Sequence, residues 1–389
     1  MSSTARPDLL VVGDANPDVL VSGAPETPPA GQAETLVDAG VLALGGSAAI
    51  VAHGAARLGL STAFVGMVGR DPAGDFVLDT LSAAGVDISG CTRHESLPTA
   101  LTVCLNRPDG DRAILTAPGC LPAFGPEHVP DVAARHVHAA SYFLQPRLAA
   151  GLPGLLAAAR AAGASTSLDT NDDPAGAWRL APGLLAACDL LLPNEDEALA
   201  LAGALRPSRL PDAPGESLDG GRSASGTSPQ SPDDARGASG ARAESADDLG
   251  AGGAPGSGAE SSGAADADGG PRGRDPLADA LDVLAAAGPL PVVKRGRRGV
   301  VARSGTEIIG ARGPEVAPVD TVGAGDGFDA GFLAGWLTKG DLAHALAWGC
   351  ACGALSTRAA GGTAAQAGPE EAAAFAARIQ VGSDLLGSV

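Results

Sequence analysis

A glycine-rich turn followed by a carboxylate is the part of this sequence best suited to chemistry. The stretch DTVGAGDGFDAGFLAGWL, residues 320–337, sets Asp326 at the start of an apolar, helix-like run. The backbone amides of the turn would be unpaired there, at the positive end of a helix dipole. Such amides attract an anion, and glycines let the backbone approach phosphate oxygens closely. We therefore interpret Gly323, Ala324 and Gly325 as an anion hole, and Asp326 as the base that takes the proton of an attacking hydroxyl.

The same turn has a simpler interpretation. An Asp at a helix start commonly caps the helix and favours its dipole, without any part in a reaction. The glycines before Asp326 bring the two interpretations nearer to parity.

The sequence has no GxxxxGK[ST] motif, which argues against a P-loop ATPase. The first predicted strand ends in VVGDAN, which lacks the glycines of a dinucleotide-binding turn.

Composition argues against several classes of partner. The chain has 389 residues, 45% of them hydrophobic, and a formal net charge of -19. This acidity, without a long Lys/Arg cluster, argues against nucleic acid or an anionic membrane as the main partner. No apolar run reaches membrane-spanning length, and the amino terminus shows no secretory signal. Six scattered cysteines, without CxxC or histidine spacing, predict reduced thiols and a cytoplasmic protein.

A low-complexity segment interrupts the sequence. From about Arg206 to Asp275 the residues are mostly Gly, Ser, Ala, Asp, Pro and Arg, with three leucines and no aromatic residue, Val, Ile or Met. Such a segment buries too little apolar surface to offset its ordering entropy, so we predict a disordered insertion over 206–275. A regulatory or docking arm is the alternative to a solvated spacer. Residues 1–205 and 276–389 then form one domain of usual size.

Outside the insertion, short apolar strands alternate with alanine-rich helical segments. The pattern predicts a mostly parallel sheet covered by helices. The clearest strands are DLLVVGD, TAFVGMVG, STSLDTN, CDLLLPN and LPVVKRG, and the clearest helices are AAIVAHGAARLG, DFVLDTLSAAG, LPGLLAAARAAG and EDEALALAG. Two regions, about 15–45 and 97–118, alternate in the strand manner, and RPDG is a turn signal in the second. We predict a small separate sheet there, serving as a lid, a structural extension or a dimer interface.

Polar residues follow four of the predicted strands. They are Asp14, Asp169, Asn194 and Lys294. Ligands of open α/β sheets bind beyond the carboxyl ends of the strands, so we expect these four side chains to gather at one site. Each of them alone would be an ordinary cap or turn residue.

These residues resemble the ribokinase-like (PfkB) family of carbohydrate kinases. The resemblance is strongest over residues 45–87, GGSAAIVAHGAARLGLSTAFVGMVGRDPAGDFVLDTLSAAGVD, and over 320–337. It implies a three-layer α/β/α sandwich with a mostly parallel central sheet and a small β lid. It also implies that the γ-phosphoryl group of ATP is transferred, with Mg²⁺, to a hydroxyl of a monosaccharide or sugar acid. Asp326 matches the catalytic base of the family, and Gly323 to Gly325 match its anion hole.

The resemblance also implies ligands for the sugar and for the nucleotide. The implied sugar-binding residues are Asn16, Asp18, Gly45, Gly46, Arg112 and Asp169, with Asn171 and Asp172 nearby. The implied ATP-binding residues are Asn194, Lys294, Gly296 and Gly299. Glu197 would lie near Mg²⁺ through bound water, and Asp320 is a candidate contact of a monovalent cation such as K⁺. The sequence has Ile50 where the family commonly has a sugar-binding asparagine, which puts that route of sugar recognition in question.

Two other functions stay open at this point. The same scaffold accepts nucleosides, so a nucleoside kinase is the nearest alternative. The alternative from a different class is a non-catalytic sugar-binding or regulatory protein, for which Ile50 and the insertion leave room. The expected partners are a small sugar and ATP, with a homodimer formed through the lid.

Overall fold

The computed structural model describes residues 6–109, 111–130, 133–206 and 275–383. The predicted insertion lies outside these ranges except for its two end residues, so its disorder stays a prediction. All six cysteines are free, and all but Cys91 are buried, as expected of reduced thiols. Within the described ranges, every helix is too short or too polar to cross a membrane.

The described residues form eight α-helices and fifteen strands. The helices are α1 (Ser47–Arg57), α2 (Pro72–Ala83), α3 (Pro146–Ala161), α4 (Glu195–Leu205), α5 (Pro276–Ala286), α6 (Ala324–Lys339), α7 (Leu342–Ser356) and α8 (Pro369–Ala376). The strands are β1 (Leu9–Val12), β2 (Asn16–Ser22), β3 (Ala39–Gly45), β4 (Thr62–Val65), β5 (Met67–Gly69), β6 (Thr92–His94), β7 (Leu101–Asn106), β8 (Arg112–Ala117), β9 (His136–Ala139), β10 (Ser165–Leu168), β11 (Leu190–Leu191), β12 (Leu290–Lys294), β13 (Val300–Ser304), β14 (Glu307–Ala311) and β15 (Val381–Gly382).

The largest sheet of the described residues has nine strands, in the order β15-β14-β13-β12-β11-β10-β9-β1-β4. The strands from β4 to β12 in this order pair in parallel, and β13, β14 and β15 add to one edge in antiparallel pairs. Strand β1 shows why helices cover both faces. Leu9 and Val11 pack in the core formed with α1, α2, α6 and α7, whereas Leu10 and Val12 pack in the core formed with α3, α4 and α5. The predicted three-layer α/β/α sandwich is confirmed.

A second sheet, here called the lid sheet, consists of four strands in the order β3-β2-β7-β8. Its strands come from the two regions whose alternation predicted a separate small sheet. Leu20 and Cys104, on neighbouring strands, pack with Val322, which precedes the glycine turn. One face of the lid sheet therefore lies against the loop that carries the candidate anion hole.

The run TAFVGMVG forms two strands rather than the single predicted one. Strand β4 ends at Val65 on the central sheet, whereas β5 starts at Met67 and pairs with β6. A Cβ atom on Gly66 would lie 2.6 Å from the carbonyl oxygen of Gly13 and 2.7 Å from the ring of Phe64. Only glycine fits so close to its neighbours, and the division between the two sheets falls at this residue.

Glycines spaced four residues apart on α6 let this helix pack closely against α7. A Cβ atom on Gly327 would lie 2.8 Å from Ser356 Oγ, and one on Gly331 would lie 2.6 Å from Cys352 Cβ. This close packing fixes the direction of α6 and hence the place of Asp326 in its first turn.

Candidate active site

Asp326 lies in the first turn of α6, which begins directly after Gly323. Gly323 has a left-handed backbone conformation, with φ 71°, and a Cβ atom there would lie 2.4 Å from the Cα of Gly362. Among the described residues, no acceptor forms a hydrogen bond with the amides of Gly323, Gly325 or Asp326. The turn thus presents free N–H donors next to a carboxylate.

Ala324 is the exception among the turn residues, because its amide is not free. It donates to the carbonyl oxygen of Thr321 at 3.3 Å. The same loop is held by Asp320, whose carboxylate oxygens accept hydrogen bonds from the amides of Val322 and Gly361, each at 2.9 Å. Asp320 therefore fixes the shape of the loop, and its contact with a monovalent cation stays a prediction.

A chain of hydrogen bonds holds the Asp326 carboxylate. Ser47 Oγ donates to Asp326 Oδ1 at 2.5 Å, and Asn171 Nδ2 donates to Ser47 Oγ at 3.1 Å. Asn171 Oδ1 in turn accepts from the amide of Ser141 at 2.7 Å. Ser141 and Asn171 both have left-handed backbones, with φ 55° and 54°. Such conformations persist in non-glycine residues only where the surrounding structure holds them, which is common at functional sites.

Sequence reasoning missed Ser47 and Ser141. Ser47 starts α1 directly after the glycine pair of the first signature, and a hydroxyl there was the available signal. Ser141 follows β9, whose four residues did not stand out as a strand because they include two histidines. The contact of Ser47 with Asp326 and that of Ser141 with Asn171 both join residues far apart in the sequence.

Burial raises the pKa of Asp326 to about 6, although the hydrogen bond from Ser47 opposes the shift. The charges of Asp169 and Asp14 raise this pKa further, and the charge of Lys294 lowers it. An acid with this pKa is mostly ionised at pH 7 and yet accepts a proton more readily than an ordinary aspartate. These are the properties of a general base.

We expect Ser47→Ala to move the acid limb of the pH profile to higher pH. The substitution removes a donor to the ionised form of Asp326, which raises the pKa of that carboxyl. Because a general base must be ionised to accept a proton, we expect activity to be lost as the pH falls through this pKa. The acid limb of kcat/KM should move to higher pH by about 0.5 to 1 pH unit. The loss of kcat/KM should therefore be larger at pH 5 than at pH 9.

The pH profile of Ser89→Ala provides the control, since Ser89 is exposed and far from the site in sequence and contacts. An acid limb that stays in place in Ser47→Ala would show that Ser47 does not stabilise the ionised base.

The four polar residues at the strand ends do gather, but they play different parts. Lys294 Nζ donates to Asp169 Oδ2 at 2.7 Å, and Asn194 pairs with Lys294 in a parallel bridge. Asp14 is near enough for its charge to act on Asp326. Its own carboxylate, however, accepts from the amides at the start of α1, at 3.1 and 3.0 Å. Asp14 is therefore a cap of α1.

Asn16 and Asp18 form a buried polar pair on β2. Asn16 Nδ2 donates to Asp18 Oδ1 at 2.8 Å and to Thr102 Oγ1 at 3.2 Å. A Cβ atom on Gly45 would lie 2.0 Å from Asp18 Oδ1, so this glycine makes room for the pair, whereas Gly46 has φ 84° and lies against the backbone of Asp14 and Ala15. Burial raises the pKa of Asp18 to about 7. Since Asp18 Oδ2 accepts no hydrogen bond from the described residues, it can receive a ligand hydroxyl.

Arg112 extends from the lid sheet toward the glycine turn. It is exposed on β8, and its Nη1 lies 3.5 Å from Thr321 Oγ1. The lid sheet thus places a guanidinium beside the loop that leads into the candidate anion hole, where it can meet a negatively charged group.

Ile50 takes part in packing beneath the turn. It is buried in α1. A Cβ atom on Gly362 would lie 2.7 Å from Ile50 Cδ1, and Gly362 is the residue against which Gly323 packs. An apolar side chain at position 50 therefore has a structural reason.

Asn194 and Glu197 form a reciprocal cap at the start of α4. The amide of Glu197 donates to Asn194 Oδ1 at 2.9 Å, while the amide and Nδ2 of Asn194 donate to the Glu197 carboxylate at 2.9 and 2.6 Å. Burial raises the pKa of Glu197 to about 7, and the charge of Asp169 adds to the effect. A buried carboxylate that is costly to ionise favours a nearby cation, and Mg²⁺ prefers oxygen ligands and keeps bound water. The chemistry of Glu197 therefore fits Mg²⁺, with Asn194 orienting it.

A 3₁₀ turn, Gly296–Arg298, follows β12. Gly296 and Gly299 both have positive φ, 55° and 86°, and a Cβ atom on Gly299 would lie 2.0 Å from the carbonyl oxygen of Ala311. A side chain at position 299 would therefore collide with the backbone of Ala311, and Gly296 has the left-handed conformation that glycine adopts most easily. Its contact with ATP stays a prediction.

Comparison with known protein families identifies one match that covers most of the chain. The family model described as "pfkB family carbohydrate kinase" matches residues 6–216 and 263–367. The ATP-dependent ribose-1-phosphate kinase of Halopiger xanaduensis is 28% identical over 344 residues, which cover 86% of this chain and 87% of that protein. The fructokinase of Klebsiella pneumoniae is 29% identical over 329 residues, which cover 82% and 86%.

Solved structures show the same fold at lower sequence identity. The chain superposes on Arabidopsis thaliana ribokinase complexed with ribose and ATP with a TM-score of 0.69, at 21% identity, covering 95% of this chain and 99% of that one. It superposes on a putative ribokinase II from E. coli, in complex with ATP and Mg²⁺, with a TM-score of 0.66, at 19% identity, covering 96% and 99%.

Proposed function

The chain belongs to the pfkB family of carbohydrate kinases, and from this premise we propose that it transfers the γ-phosphoryl group of ATP to a sugar hydroxyl, with Asp326 as the general base. One observation carries the proposal. The half-buried Asp326 carboxylate stands in the same helical turn as the free amides of Gly323 and Gly325, and it receives a hydrogen bond from Ser47. A base and an anion hole are thus within one turn of each other.

In the proposed reaction the sugar hydroxyl gives its proton to Asp326 as its oxygen attacks the γ-phosphorus atom. The bond between that phosphorus and the bridging oxygen of ATP breaks, which leaves ADP and a phosphorylated sugar, and the proton then passes from Asp326 to solvent. The amides of Gly323 and Gly325 stabilise the negative charge of the transferring group. Ser47 and Asn171 keep the carboxylate turned toward the acceptor.

We assign the acceptor end of the site to the polar pair on β2. Asn16 and Asp18 offer an amide and a carboxylate for sugar hydroxyls, and Gly45 gives Asp18 room. Lys294 holds Asp169 in an ion pair, so Asp169 does not offer a free carboxylate to the sugar.

We assign the nucleotide end to the glycines at positions 296 and 299 and to the cap of α4. Glu197, oriented by Asn194, would hold Mg²⁺ through water, and the ion would neutralise phosphate charge when bound. Asp320 would contact a monovalent cation only through lone pairs that its two amide donors leave free.

The kind of acceptor is tested with a substrate panel. ATP consumption and product mass would be measured with ribose, fructose, ribose 1-phosphate and sugar acids, and then with nucleosides. The phosphorylated sugar is included because Arg112 is suited to bind an anionic substituent. A phosphorylated sugar as product is expected. Product from nucleosides alone would favour the nucleoside kinase, and ATP binding without turnover would favour a non-catalytic protein.

We further propose a homodimer formed through the outer face of the lid sheet. Leu42, Val19, Val103 and Leu115 stand opposite one another across its four strands. They alternate with Leu20 and Cys104, which pack toward the glycine turn, so this row faces away from the site. Leu42 and Leu115 are 53% and 59% exposed, and a second copy of the same apolar row would cover them.

Leu115→Asp is expected to convert the dimer into a monomer, because a carboxylate within an apolar interface is costly to bury. Mass in solution by light scattering checks this. Leu199→Asp is the matched control, since Leu199 is 36% exposed on α4, outside the lid sheet. A monomeric unaltered chain, or a dimer that survives Leu115→Asp, would contradict the proposal.

A further inference from the structure

Lys294 is the centre of a buried cluster of charges next to the glycine turn. Its Nζ donates to Asp169 Oδ2 at 2.7 Å and to the two carboxylate oxygens of Asp329 at 3.2 and 3.1 Å. The side chains of Lys294, Asp169 and Asp329 are 11%, 2% and 0% exposed. A Cβ atom on Gly325 would lie 3.5 Å from Nζ, so the ammonium lies against the turn itself. We call Asp169, Lys294 and Asp329 the lysine triad.

The carboxylates of the triad do not present an open metal site. Oxygen atoms of Asp169, Asp326 and Asp329 all lie within 4.8 Å of one another, a spacing that a metal ion could use. The ammonium of Lys294, however, contacts two of these three residues. It supplies the positive charge that buried carboxylates need, and we interpret the cluster as an ion-pair network.

The contacts of Lys294 also argue against direct binding of ATP. A lysine ammonium has three N–H donors and no acceptor. Three carboxylate oxygens lie within hydrogen-bonding distance of Nζ, namely one of Asp169 and two of Asp329. A phosphate could reach this ammonium only by replacing one of these buried ion pairs, which would leave a carboxylate without its partner.

We propose, on the basis of the proposed kinase function, that Lys294 is a positioning residue for Asp326 and not a ligand of ATP. Asp329 is three residues after Asp326 in α6, so the ion pair with Asp329 ties the first turn of this helix to β12. The ion pair with Asp169 ties the same point to the end of β10. Lys294 thereby sets both the place of the base and the charge beside it.

Charged groups surround Asp326 on several elements. They are Asp14 after β1, Asp18 in β2, Asp169 after β10, Lys294 in β12 and Asp329 in α6. Lys294 is the one cation in this described set. Burial raises the pKa of Asp329, whereas the charge of Lys294 lowers the pKa of Asp169 against the effect of burial. Without Lys294, the negative charge of Asp169 would act on Asp326 with no neighbouring cation to oppose it.

The test replaces the ammonium with an uncharged side chain of similar length. In Lys294→Met the acid limb of kcat/KM should move up by about one pH unit, because the remaining negative charge disfavours ionised Asp326. The loss should be about tenfold at pH 5 and smaller at pH 9. The Kd for ATP, measured by calorimetry without sugar, should change less than about threefold, since no ligand of ATP is removed.

Two variants serve as controls. Asp329→Asn keeps the ammonium of Lys294 and adds no negative charge, so the acid limb should not move to higher pH. Lys294→Met combined with Asp169→Asn removes both charges of the ion pair, so it remains informative if the single variant does not fold. The double variant should bind ATP normally, and its acid limb should return toward that of the unaltered chain.

The outcomes separate this inference from the kinase proposal. A Kd for ATP that is more than about tenfold weaker in both Lys294 variants, with the acid limb unmoved, would make Lys294 a nucleotide ligand and overturn the inference alone. Failure of the unaltered chain to phosphorylate any acceptor would overturn the kinase proposal and this inference together.

Discussion

Asp326→Asn is expected to lower kcat by about 10²- to 10⁴-fold while ATP binds with nearly unchanged affinity. Asparagine has the shape of aspartate and can still accept the hydrogen bond from Ser47, but it cannot take a proton from the acceptor hydroxyl. The free amides of Gly323 and Gly325 stay in place, so the phosphate donors are kept. Release of ADP measures kcat, and calorimetry measures the Kd for ATP.

Asp329→Asn is the matched control for this prediction. It makes the same chemical change about one turn further along α6, at a side chain that contacts Lys294 instead of the open site. Turnover should fall far less than in Asp326→Asn. The residual activity of Asp326→Asn should also lack the acid limb that Asp326 produces in the unaltered chain. If Asp326→Asn kept turnover within about tenfold of the unaltered chain, another group would have to be the base.

Local patterns in the sequence were enough to predict the layers of the fold. Successive side chains of β1 pack in opposite cores, on the two faces of the sheet. This placement follows from the two-residue period of a strand, which the sequence alone reveals. The lid sheet could be predicted for the same reason. The break at Gly66 could not, because it depends on close packing against the distant Gly13, and neither could the pairing of β14 with β15, which lie far apart in the chain.

The site divides in the same way between local and distant causes. The glycine turn and Asp326 could be predicted because the free amides of a helix start are a local property of the backbone. The hydrogen bond from Ser47 and the ion pair of Lys294 with Asp169 join residues that only the folded chain brings together. Ile50 shows that one departure from the family pattern does not by itself reveal a change of function. Its side chain packs against Gly362, which gives it a structural role apart from sugar binding.

Gly323→Ala is expected to lower kcat by about 10²- to 10³-fold, with a smaller change in the KM for ATP. Gly323 has φ 71°, where an alanine costs about 1 to 2 kcal/mol. Its Cβ atom would also lie 2.4 Å from the Cα of Gly362, a backbone atom that cannot turn away. The turn must therefore shift, and amides aimed at the transferring phosphoryl group lose their alignment.

Gly325→Ala is the control that distinguishes the effect of the left-handed backbone at Gly323 from the effect of added side-chain bulk in the turn. Gly325 does not have a positive φ, and its Cβ atom would meet only Lys294, at 3.5 Å, which is an ordinary contact. We expect a smaller loss of kcat and no fall in melting temperature, whereas Gly323→Ala should lower both. Equal losses in the two variants would mean that added bulk near the phosphates is the cause. Full activity in Gly323→Ala would contradict the anion hole itself, because the alignment of its donors requires the left-handed glycine.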